Sequence, residues 1–403
     1  MKTFTKYFTL IMALVAVLSC GEKEQQQFAG LGIDMKGAVL GFDKNVIMAD
    51  GSDAVRFSAY YDGNNVSNDS KNTYFLIKNP EKGKFERTSD TFTATTPGDY
   101  VFKVKYKTSE SEEVTISAIT REVPSVVPDP QPASTSFVHR TFFNQFTGGN
   151  CGYCPFMTHL LDQTLVGGYE DKVVLAEIRN YDSTEASFAS IPNSGGGYPY
   201  LLIDYATDFH HNSGSSEAAK VLQGRIDQWT STPAKVGISA HPVYYEDGQI
   251  IVRVSVKAAQ TGEYNVGLWL MQDEVNVEQK FNNDVKGALD DTWDTGYKGD
   301  PSKNRYDYHH NAVRVAASKY LGAHVGFPLG VIEAGKTADW IFVVNVRLKG
   351  SDIHYGWWEE FGRKVNLDDL HFAAFVTSHV GTRYTVENAI DFPYNQQKAF
   401  DYK

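Results

Sequence analysis

Cysteine is scarce in this chain: the 403 residues hold three, at positions 20, 151 and 154. With no second Cys-x-x-Cys, a four-cysteine zinc site is excluded. Long apolar runs are missing after residue 18, which excludes a later membrane-crossing helix. There is no basic block either. The 38 Lys and Arg are interspersed among 49 Asp and Glu, for a net charge of -11. That balance speaks against a nucleic-acid partner.

What is present begins at the N-terminus. Lys2 and Lys6 precede an uncharged apolar run from Tyr7 to Leu18. The run is short for a bilayer span and has the length of a secretory h-region. It ends in Val17-Leu18-Ser19-Cys20-Gly21, which resembles a bacterial lipobox. The resemblance implies a signal peptide over 1–19, a lipidated Cys20 as the first mature residue, and a polar tether over 20–27. Two or more acyl chains on Cys20 anchor a protein stably where one chain does not. The expectation is therefore a lipid-anchored protein in an oxidising envelope, where a disulfide persists.

Residues 28–120 read as short alternating strands, such as Val55–Tyr61 and Tyr100–Tyr106, separated by turn signals like Asp62-Gly63-Asn64 and Pro97-Gly98-Asp99. The pattern predicts a β sandwich and resembles the immunoglobulin-like modules of bacterial surface proteins. Pro124, Pro128, Pro130 and Pro132 mark 121–136 as an extended linker. Residues 137–232 alternate strand and helix signals, with helices expected over Pro155–Leu165 and Ser215–Trp229. Residues 233–403 return to strand character. They predict a second β sandwich carrying a long polar insertion, Asn276–Gly335, with a short helix over Asn311–Tyr320. The expected fold class is multidomain α/β plus all-β.

The chemistry concentrates at Cys151-Gly152-Tyr153-Cys154. A strand precedes it and a helix follows, so the pair stands at a helix N-terminus. There the helix dipole and free N–H groups favour the thiolate, the species that attacks disulfides. With Cys20 assigned to lipid, Cys151 and Cys154 are left as each other's partners. His159, one turn past Cys154, reads as a helix surface residue or as a third metal ligand. No metal or cofactor is otherwise called for.

Phe142 to Phe156 resembles the active-site strand and loop of thioredoxin-like proteins, and Gly197-Tyr198-Pro199 resembles their proline loop, 45 positions after Cys154. The resemblance implies that Cys151 attacks, that Cys154 resolves, and that Tyr153, Tyr198 and Pro199 line a groove for the partner chain. It implies a cis bond before Pro199. Three positions depart from that pattern: Asn150 replaces a tryptophan, Tyr153 a proline, and Gln145 a buried acid that relays protons. Glutamine cannot titrate, so the relay is missing unless another group serves.

The order of lipobox, β module, Phe-Thr-Gly-x-x-Cys-Gly-x-Cys-Pro, Gly-Tyr-Pro and β-rich tail is similar to the 28-kDa outer-membrane-protein-related lipoprotein family. Tyr308-His309-His310-Asn311 and Arg314 fall where that family carries a Tyr-x-His-Asn segment. The resemblance implies an outer-membrane location. Two functions follow from different features. The cysteine pair predicts thiol–disulfide exchange with envelope or surface proteins. The alternative is a non-catalytic adhesin or ligand-binding lipoprotein with a structural disulfide, its partner a glycan or host ligand. Adjacent Trp357 and Trp358 are candidates for glycan stacking or for core.

Overall fold

The computed structural model describes residues 37–179, 190–195, 197–209, 215–289, 297–300, 302–320, 322–346, 366–380 and 383–403. The signal segment, Cys20, the tether and the Trp357-Trp358 pair lie outside the described residues. The chain divides into two compact units, one built on residues up to 122 and the other on 123–403 apart from 328–331.

The first unit is two β sheets. One contains Ala38–Phe42 and Ala54–Tyr61; the other contains Val46–Met48, Val114–Ile119, Gly98–Tyr106 and Thr73–Lys78. Alternation along each strand sends every second residue inward. Leu40, Val55, Phe57 and Ala59 from one sheet meet Ile47, Phe102, Val104 and Ile116 from the other in a single buried core.

In the second unit, β1 (Thr141–Thr147) leads through a loop to α1 (Cys154–Thr164) and then to β2 (Val173–Arg179). After β3 (Tyr200–Ile203) and β4 (Thr207–Phe209) comes α2 (Ser216–Thr230), capped by the Ser215 hydroxyl on the Ala218 N–H. β1 is parallel to β2 and antiparallel to β3. Neighbouring side chains of β1 serve opposite faces. Phe143 packs with Met157 and Leu160 of α1 and Leu222 and Ile226 of α2. Phe142 and Phe146 join Trp269, Tyr200 and Phe375 on the other face.

The expected domain break at 232/233 is corrected here. β2 is not a sheet edge. It continues into β8 (Ala312–Ala317), β5 (Gly262–Gln272), β9 (Leu370–Val380) and β10 (Arg383–Pro393), giving the order β4-β3-β1-β2-β8-β5-β9-β10. The physical reason is visible in β2 itself. Val173, Val174, Ala176, Glu177 and Ile178 are all buried, and such a strand needs a partner on both sides. Three further strands of the tail, Val236–Tyr244, Gln249–Ala258 and Thr337–Asn345, form a separate antiparallel sheet.

Two further expectations change. Residues 312–317 form strand β8 rather than a helix. Their good helix formers are overridden by pairing with β2 and β5. The Pro-rich segment is docked rather than free from Pro124 onward. The Pro124 carbonyl accepts from Arg253 Nε (2.6 Å), the Pro132 carbonyl from Lys257 Nζ (2.8 Å), and Asp129 pairs with the same lysine (2.9 Å).

Candidate functional site

The site is built by the ends of β1 and β3. The pairing of Phe146 with Tyr200 puts the loop after Thr147 and the loop before Tyr200 at the same end of the sheet. The first loop carries the cysteines and the second ends in a cis Tyr198–Pro199 bond. Tertiary pairing thus brings together the two motifs that sequence spacing alone kept 45 positions apart.

Cys151 and Cys154 form a disulfide. The two sulfurs' residues differ in access: Cys154 is fully buried, whereas Cys151 is half-buried. Tyr153 stands at the N-cap position of α1 without a side-chain capping bond and is 46% exposed, so it borders the accessible side. Pro155 sits in the first helical turn, where its missing N–H costs nothing. Tyr198 and Pro199 are half-buried, and Tyr198 packs on the cluster around Phe146 and Tyr200. Strand register thus puts Tyr198 and Pro199 at the same end of the sheet as the cysteine loop.

Beneath α1 lies a cavity of about 370 Å³ lined by Gln145, Thr158, Asp162, Glu177 and His309, among others. Gln145 donates to the Thr158 hydroxyl (3.1 Å). Its register neighbour on β2 is Glu177, so a carboxylate stands beside the position where the thioredoxin pattern has one. Burial pushes the Glu177 pKa up, but His309 and Arg179 outweigh it and hold the group below the ordinary glutamate value. Arg179 donates to Glu177 at 2.7 Å and His309 Nδ1 at 3.0 Å. His309 is 5% exposed and Arg314 2%. Both are interior residues of the insertion. His310 lies beside Asp273 instead. His159 sits between Gln163 and the Tyr306 hydroxyl, and burial lowers its pKa.

Sequence reading missed a second component. The insertion folds back over the cysteine loop. β6 (Val275–Asn276) pairs with β7 (Tyr308–His309), and the segment between β6 and α3 (Asn283–Ala288) runs along the loop backbone. Lys280 N–H donates to the Gly149 carbonyl (2.8 Å) and Asn282 N–H to the Gly152 carbonyl (3.1 Å). Phe281, Val285, Leu289 and Tyr306 then pack around Phe156 of α1. The available signal was the glycines. A Cβ on Gly152 would lie 2.4 Å from Asn282 Oδ1 and 3.0 Å from its backbone N, and one on Gly149 would lie 2.8 Å from the Glu278 carbonyl. Both must be glycine for the strap to lie so close.

No protein-family model matches the chain, and no curated protein matches it. Among solved structures it is similar to HBP35 of Porphyromonas gingivalis, at 13% identity and a TM-score of 0.45, over 64% of this chain and 76% of that one. It is also similar to a domain of the outer membrane lipoprotein Omp28 from Porphyromonas gingivalis, at 14% identity and a TM-score of 0.23, over 40% of this chain and 89% of that one. Likeness at this level leaves the function to the residues of the site.

Proposed function

We propose that this chain is a lipid-anchored outer-membrane protein whose Cys151–Cys154 pair exchanges thiols and disulfides with envelope or surface polypeptides. The lipobox-like Ser19-Cys20-Gly21 supports the anchor. The observation that carries the exchange is the unequal access of the two cysteines at one helix N-terminus: Cys151 half-buried, Cys154 fully buried. A visitor reaches one sulfur and the other is kept as the internal leaving group. The strand order β4-β3-β1-β2, with α1 crossing between the parallel pair, supports a thioredoxin-like reading of this part. The two packed sheets of residues 37–122 support an immunoglobulin-like module serving as a spacer.

The reaction balances as two steps. A partner thiolate attacks Cys151 Sγ, forming a mixed disulfide and releasing Cys154 as thiolate. The partner's second thiolate then attacks its own bridged sulfur, and Cys151 leaves. The partner is oxidised by two electrons, the pair is reduced by two, and two protons end on Cys151 and Cys154. Run backwards, the same steps reduce a partner disulfide. Exchange against a dithiol protein tests this. In the reverse direction, against a disulfide-bonded protein, Cys154→Ser is expected to accumulate mixed disulfides as its Cys151 thiolate attacks the partner's disulfide and one partner thiolate leaves. A pair with a reduction potential below about −300 mV and no trapped partner would mark a structural bridge instead. The adhesin reading would then stand.

A further inference from the structure

We infer that Gln279 is a positioning residue of the disulfide site, and that its strap favours the oxidised form of the Cys151–Cys154 pair; the catalytic meaning of this rests on the exchange reading above. Gln279 is 5% exposed between two exposed neighbours, Glu278 and Lys280. Its side chain turns inward onto the cysteine loop. There Nε2 donates to the carbonyls of Cys151 (2.9 Å) and Lys280 (2.9 Å) and reaches that of Gly149 at 3.4 Å. One amide thus ties the carbonyl of the accessible cysteine to the strap.

The strap is itself pinned along its far edge. Val277 N–H donates to the Asp307 carbonyl and Gln279 N–H to the Asp307 carboxylate, both at 2.8 Å. Counting the Lys280 and Asn282 amides, the strap holds the carbonyls of Gly149, Cys151 and Gly152, before, at and after the accessible cysteine in sequence. These bonds fit the loop with its ring closed. Opening the ring frees Cys151 to move, and each bond that loosens counts against reduction. An element can shift an equilibrium only by its differential interaction with the two states, and here that difference lies in the carbonyls beside the breaking bond. Cysteine spacing and helix dipole are local. The strap is a control arriving from more than a hundred residues away in sequence.

The test is a redox titration of the full chain in glutathione buffers, where two glutathione thiols supply the two electrons and two protons and leave as one disulfide. Gln279→Met keeps the side chain's length and removes its donors. Asn282→Pro removes one backbone donor at a φ of -77° that proline accepts. Each variant is expected to be reduced about tenfold more readily, equivalent to about 30 mV. A third measurement needs no variant. In the wild-type chain, amide hydrogen exchange at Lys280 and Asn282 is expected to quicken about tenfold when the pair is reduced. Variants that titrate with the wild type, or amides equally protected in both redox states, overturn the inference. If potentials shift while no partner is ever trapped by Cys154→Ser, the strap stands and the exchange reading falls. If partners are trapped but potentials do not move, only the strap inference falls.

Discussion

The two flanks of the disulfide loop are built differently. On one flank the carbonyls of Gly149, Cys151 and Gly152 are taken by the strap from the insertion, and Phe156 is sealed under Val285, Leu289 and Tyr306. On the other, Tyr153 is exposed and Tyr198 and Pro199 are half-buried at the end of β3. Among the described residues, the second flank is the more accessible of the two. The closed flank holds the loop backbone, and the open flank is where the proposed exchange would admit a partner.

The comparison breaks first at the cysteines. Cys151→Ser should abolish exchange outright, while Cys154→Ser should halt it at the mixed disulfide; equal trapping by both variants would mean that the two sulfurs are equally accessible. The next effect comes from the closed flank. Gly152→Ala should cost about 1–3 kcal/mol by driving a methyl into Asn282. An unchanged melting temperature would show that the strap does not lie against the loop.

A smaller effect is expected at the root of the insertion. Asp273 accepts from Asn311 N–H (2.9 Å), joining the point where the chain leaves β5 to the point where it returns before β8. His371 lies between Asp391 (2.8 Å) and Asp273 (3.6 Å). Burial works against its charge, yet these two carboxylates push its pKa up to about 10. A histidine raised in the folded state contributes stability that is full below its unfolded value near 6.5 and is lost as pH rises toward 10. Burial also pushes Asp204 up to about 8, which gives the same downward slope between about pH 4 and 8. The diagnostic is therefore the difference between chains. His371→Asn should flatten the fall in melting temperature between pH 6.5 and 10, and a slope matching wild type would remove His371 from the root. The smallest effect belongs to the open flank. Tyr153→Ala should raise KM for a polypeptide partner by less than about tenfold and leave exchange with a small thiol unchanged, since an exposed interface side chain contributes about 1 kcal/mol.

Local chemistry was legible where it depended on neighbours in sequence. The helix after Cys154, the capped helix after Ser215, the alternating strands before residue 120 and the pairing of the two cysteines all rest on short-range patterns. Residues 312–317 were illegible for the opposite reason: Ala and Arg suit a helix while Val suits a strand, and pairing along β5 and at the edge of β2 decides for the strand. Glu177 was hidden likewise. One more polar residue in a β strand means little until its register beside Gln145 is known. Gln279 carried no signal at all, because one glutamine in a polar insertion resembles any other.

By itself the sequence determined the chemical actors: two cysteines at the head of a helix, a proline loop downstream, and a lipobox-like start. Tertiary structure alone decided who stands beside them. It joined the expected central domain and tail in one sheet, exposed Cys151 more than Cys154, and laid residues 277–282 across the loop. The reason is physical. Helix starts and turns are set by interactions a few residues apart, whereas strand partners and buried hydrogen bonds are chosen by whichever distant segment satisfies an open edge.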